Sequence, residues 1–101
     1  MRTMARHVCA FSVAKLRGWD GDADRLIAHG IAFTEKGRTQ RGGWARLLQE
    51  DGMIADACEY AYDHACVLLM LAHAHQTGNP DTPRLGQETF AFSTSTWRTT
   101  D

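Results

Sequence analysis

EYAYDHACVLLMLAHAH, Glu59–His75, is the stretch that decides the fold. It opens with two carboxylates, two tyrosines and a histidine, and it closes on two more histidines. Between them, Ala65–Ala72 is apolar at every position. The spacing predicts a helix over about Ala57–Gln76, stopped by Gly78 and Pro80. The run is too short to cross a bilayer, which needs about 20 apolar residues, and His64 and His73 bracket it. A helix apolar on all sides belongs inside protein, surrounded by neighbours. A chain of 101 residues seldom builds such an interior alone, so this one is expected to be part of a larger helical assembly.

The flanking sequence supports this reading. Arg2–Arg17 has helical periodicity: Met4, Val8 and Phe11 share one face, and Cys9, Val13 and Leu16 the next. Lys15 and Arg17 suit its negative end, and Gly18 is placed to terminate it. A second helix is predicted over about Asp22–Thr34, capped by Asp22, with an apolar stripe of Leu26, Ile27, Gly30, Ile31 and Phe33. After the loop GRTQRGG, the segments GWARLL and MI flank QEDG. They read as a short β-hairpin turning at Asp51-Gly52. Thr82 with Pro83 starts a fourth helix, expected to end near Phe92 before STSTW breaks the pattern.

The two halves resemble each other. Gly18 precedes Gly78 by 60 residues, while Arg25-Leu26 and Ala32-Phe33 precede Arg84-Leu85 and Ala91-Phe92 by 59. Each half is a long helix, a glycine turn and a shorter amphipathic helix, the pattern of stacked helical hairpins.

Composition narrows the function. A formal net charge of −1 leaves no basic footprint for nucleic acid or an anionic membrane. Cys9, Cys58 and Cys66 make an odd count without zinc-knuckle spacing, so free thiols in a reducing compartment, the cytoplasm, are expected. His73 and His75 diverge on a helix, and His64 lies too far along it to join them, so no metal site is expected. Cys58 and Cys66 lie about 12 Å apart along one helix and cannot pair. Two residues stand out. Arg6 shares a face with Cys9, Ala10 and Val13, where a cation needs a partner, a polar cavity or solvent. Tyr62 lies in line with Cys66, Leu69 and His73, either as a hydrogen-bonded core tyrosine or with its hydroxyl in an enclosed polar site.

RHVCAFSVAKLRGWDGDADRLIAHGIAF, GGWARLLQEDG and AYDHACVLLMLAHAHQTGNP, in that order, resemble the N-acylglucosamine 2-epimerase family, most closely its D-mannose isomerase-like, aldose–ketose isomerase branch. The resemblance implies an all-α fold: two helical hairpins of an (α/α)₆ barrel, with a short β-hairpin insertion, forming a partial domain over residues 1–101. The first and third helices would be inner, and the second and fourth outer. It also implies a free monosaccharide as substrate and no cofactor, with proton transfer that accomplishes either aldose–ketose isomerisation of the mannose–fructose type or 2-epimerisation of an N-acylglucosamine. Arg6 corresponds to the family's pocket arginine and Tyr62 to its pocket tyrosine. Trp44 and His64 carry weaker claims as substrate contacts. The family's paired acid–base histidines lie on later helices without counterparts here. No catalytic role is therefore assigned to His7, His29, His64, His73 or His75, and the chain alone is expected to be inactive. Cys9 stands where many relatives carry histidine or tryptophan. Family members are several times longer, and STSTWRTTD resembles the start of a further hairpin, so a fragment is expected.

Two other readings compete. A stand-alone helical interaction module would use its exposed inner faces to bind a partner or a second copy. Another (α/α)₆ carbohydrate enzyme, such as a glycoside hydrolase, would need paired carboxylates. Asp56, Glu59 and Asp63 lie on or beside one helix.

Overall fold

The computed structural model describes residues 1–19 and 21–97. In chain order these form α1 (Arg2–Leu16), α2 (Ala23–Glu35), β1 (Leu47–Leu48), β2 (Ile54–Asp56), α3 (Ala61–Gln76) and α4 (Thr82–Trp97). The architecture is the expected all-α one, two helical hairpins with a small antiparallel sheet between them.

Both long helices end in the same way. Gly18 and Gly78 adopt φ of +96° and +91°, a region where a Cβ is strained. The amide after each glycine turns back to a carbonyl in the helix's last turn, Trp19 to Ala14 and Asn79 to Ala74. The hairpin repeat read from the sequence therefore has a shared stop signal. Within the first hairpin, Gly30 lets α2 approach α1 closely, and a Cβ there would sit 2.6 Å from Val8 Cγ2.

α1 and α3 lie side by side and parallel. Arg2 pairs with Asp63 near their starts, Cys9 meets His73 further along, and Lys15 Nζ donates to the Thr77 carbonyl at their ends. The core fills the space between this pair and α2 and α4 with Val8, Ile27, Ile31, Val67, Met70 and Leu85.

Three expectations are corrected. α3 begins at Ala61, not Ala57. Residues 57–60 stay extended because the Cys58 amide donates to Asp56 Oδ1 and the Arg46 amide to the Cys58 carbonyl, which carries the ladder onward. α4 continues through STSTW to Trp97, since Thr94 and Ser95 hydroxyls bond back to carbonyls three and four residues earlier and leave the helix intact. Asp22 makes no side-chain cap bond and pairs with Arg25 instead. The turn at Asp51-Gly52 forms as expected, with Gly52 at φ +89°. The strands are shorter than GWARLL, and Trp44 bridges to Arg38 across the loop. Of the closing STSTWRTTD, the last four residues lie outside the described ones.

Candidate functional site

Parallel packing brings the N-terminal ends of α1 and α3 together. α1 carries Arg2 and Arg6 in its opening turns with no acidic residue in the first. Cations sit badly at the positive end of a helix dipole, so this end needs a carboxylate from elsewhere. Asp63 supplies it. Its side chain is 1 % exposed, and its Oδ1 accepts from Arg2 Nε. That bond raises the Arg2 pKa further above its ordinary value and keeps the guanidinium charged. The same guanidinium lies 4.5 Å over the Tyr62 ring, a favourable cation–π geometry.

Arg6 and Tyr62 are both exposed, Tyr62 by 58 %. Arg6 lies one turn along α1 from Arg2, so both expected residues stand on the open side of the helix pair near its shared end. They do not touch each other directly. Arg2, on the same side of α1 as Arg6, is the one that covers the Tyr62 ring.

Trp44 and His64 are placed differently. Both are buried, on the side of α3 away from Tyr62. His64 Nδ1–H donates to the Tyr60 carbonyl at 2.8 Å, and Nε2 accepts from the Trp44 amide at 3.0 Å. The two bonds together assign a neutral ring. Trp44 Nε1–H donates to Thr89 Oγ1, which donates to the Leu85 carbonyl. Phe92 stacks on the imidazole at 5.0 Å between centroids. Every polar atom of the two rings is thus used: His64 Nε2 and Trp44 Nε1 tie the GGW loop to α3 and α4, and His64 Nδ1 closes the first turn of α3. Gly43, next to Trp44, has no room for a Cβ against Glu59 and Phe92.

A cavity of about 210 Å³ opens where α1, α3 and the β-hairpin meet, lined by Met1, Arg2, Thr3, Arg46, Leu47 and Asp63. Arg46 also pairs with Asp56 at 3.0 Å. The Cys58 amide and then Arg46 hold the Asp56 carboxyl below its ordinary range. Cys9 and His73 form no nucleophilic pair. His73 Nδ1–H donates to the Leu69 carbonyl at 2.9 Å, and burial, with Cys66 nearby, pushes the Cys9 thiol pKa up. Among the described residues, no group of three or more His, Cys, Asp or Glu is arranged to hold a metal ion. No described helix is long and apolar enough to cross a membrane.

The sequence reading missed Arg2 and the role of Asp63. The available signal was the pair of arginines opening α1 without an acidic neighbour.

With this geometry in place, comparison with known proteins decides the family. The N-acylglucosamine 2-epimerase (GlcNAc 2-epimerase) family matches residues 1–101. The chain belongs to the N-acylglucosamine 2-epimerase family. A protein named mannose-6-phosphate isomerase from Rhizobium meliloti (strain 1021) is 36% identical over 73 residues, a match covering 71% of this chain and 19% of that relative. The chain thus spans about a fifth of the length of the curated family relative it matches. No solved structure gives a significant match. The two helical hairpins are consistent with an all-α fragment of the family's (α/α)₆ architecture.

Proposed function

We propose that the chain supplies two helical hairpins of a larger sugar isomerase or epimerase, with Arg6 and Tyr62 contacting the sugar. The observation that carries this is the placement of both residues on the open side of the parallel α1–α3 pair, at its polar end. The reaction is 2-epimerisation of an N-acylglucosamine or, as the relative's isomerase name favours, aldose–ketose interconversion of the mannose–fructose type. In the interconversion, a proton leaves C2 and O1 gains one, giving an enediol; O2 then loses its proton and C1 gains one. Electrons and atoms balance without a cofactor. Arg6, a charged donor, steadies negative charge developing on the sugar oxygens. Tyr62 orients a hydroxyl. The acid and base come from outside these residues. Trp44 and His64 act from behind, fixing the start of α3. The three free thiols suit a reducing compartment such as the cytoplasm.

The test places residues 1–101 in a family isomerase in exchange for the matching segment. Mannose and mannose 6-phosphate are assayed side by side, because the relative's name specifies the phosphorylated sugar. Arg6→Ala should lower kcat/KM by about 10²–10³, the effect of losing one transition-state donor. Tyr62→Phe should cost less, since a neutral hydrogen bond contributes about 0.5–1.5 kcal/mol. Near-normal turnover by Arg6→Ala would end the assignment.

A further inference from the structure

The end of the α1–α3 pair holds a buried acceptor with nothing to accept from. Asp63 Oδ1 is taken by Arg2, but Asp63 Oδ2, equally buried, has no hydrogen-bond partner. An unpaired carboxylate oxygen in protein is expensive, so folds rarely leave one without use. Asp63 lines the cavity of about 210 Å³ that Arg46 and Leu47 of the β-hairpin close from the other side. At about 30 Å³ per water, that volume holds several polar groups.

The chemistry around the cavity selects the ligand. Arg2 is neutralised by Asp63 and Arg46 by Asp56, so little net field remains to hold a phosphate, and Oδ2 would repel one. A metal ion would meet the two guanidiniums of Arg2 and Arg46. A group that donates at one atom and accepts at the next suits both sides, and a vicinal diol does this.

We propose that this cavity is a subsite for two neighbouring hydroxyls of a monosaccharide, one donating to Asp63 Oδ2 and the other accepting from Arg46. The assignment rests on the sugar reading above and extends it to residues on the far side of Arg2 from Arg6. Arg2 couples the subsite to Tyr62, because one guanidinium bonds Asp63 and covers the tyrosine ring.

Hydrogen–deuterium exchange of the 101-residue chain, read by mass spectrometry with and without D-mannose, tests it. Trimethylamine N-oxide at equal osmolality controls for general stabilisation. Mannose should slow exchange in residues 44–48 as well as in residues 61–66. Arg46→Met keeps the side chain's length without its donors. It should weaken the response in 44–48 at least tenfold in Kd, with an unchanged circular-dichroism spectrum. Asp63→Asn should do the same, and Arg46→Met decides if that variant unfolds. Protection confined to the segments bearing Arg6 and Tyr62 overturns the subsite and leaves the sugar reading standing. Protection in 44–48 and 61–66 without the segment bearing Arg6 keeps the subsite and overturns the Arg6 assignment. Protection that matches the osmolyte control, or none with mannose, overturns both.

Discussion

His64 shows how one residue can serve a site without facing it. Its neutral ring accepts from the Trp44 amide and donates to the Tyr60 carbonyl, so it fixes the backbone just before Tyr62. His64→Ala would leave the Trp44 amide unpaired and a hole beneath Phe92. Loss of a large buried side chain with an orphaned donor costs roughly 2–5 kcal/mol, to be read by urea denaturation. Thr89→Val tests the next link, and stranding the Trp44 indole N–H should cost about 1–3 kcal/mol. At this scale, local pattern and family resemblance single out Arg6 and Tyr62, whose contact with a sugar is a proposal, while the Arg2–Asp63 pair was not legible. Arg2–Asp63 spans 61 positions, and nothing in local periodicity links two such residues before the helices are known to run parallel.

The helices themselves were legible because their signals are local: apolar spacing, and glycines that end α1 and α3. The misread boundaries were decided by hydrogen bonds that composition does not display. Serine and threonine in STSTW look like breakers, yet their hydroxyls fold back onto α4. The start of α3 gives way to Asp56, which holds the Cys58 amide in the extended chain. That contact has a pH consequence. A carboxyl whose folded pKa is depressed adds stability above its unfolded value, near 3.8, and loses it as pH falls through the folded value. Glu88, lowered chiefly by Arg38, behaves alike. The double variant Asp56→Asn/Glu88→Gln should therefore show a smaller drop in Tm between pH 7 and pH 3 than the parent. Gly30 offers a second test. Alanine normally favours a helix over glycine by about 1 kcal/mol, but here the added methyl meets the rigid, buried Val8. Gly30→Ala should lower Tm, and Val8→Ala should partly rescue it, a non-additive pair in a double-mutant cycle.

At the scale of the whole molecule, several large apolar side chains meet water. The sequence implied an inner helix covered on all sides, with Val67, Leu68, Met70 or Leu71 left bare in a fragment. Instead Val67, Met70 and Leu71 are buried, and the large apolar side chains left exposed among the described residues include Leu69 at 56 % on α3, Phe90 at 61 % on α4 and Met53 at 65 % before β2. Val13 on α1 and Tyr62 on α3 are exposed as well. Burying one such side chain fully is worth about 1.5–3 kcal/mol, a sizeable share of a domain's stability of about 5–15 kcal/mol. The isolated chain should self-associate with rising concentration in light scattering, and Leu69→Lys should reduce this. A monomer at all concentrations with a sharp thermal transition would contradict it. The isolated chain should also give no turnover of mannose or fructose.

The burial of Trp44 carries one more consequence, an optical one. Of the three tryptophans, Trp44 is shut away at 0 % exposure with its N–H bonded to Thr89, Trp97 is half-buried against His64 and Phe92, and Trp19 is 45 % exposed. Acrylamide or iodide should therefore quench one part of the indole emission and leave a blue-shifted part untouched. That protected light comes from the point where the GGW loop is fastened to α3 and α4. Its disappearance, followed in time, would show the loop coming loose before or together with the helices, without any label added to the protein.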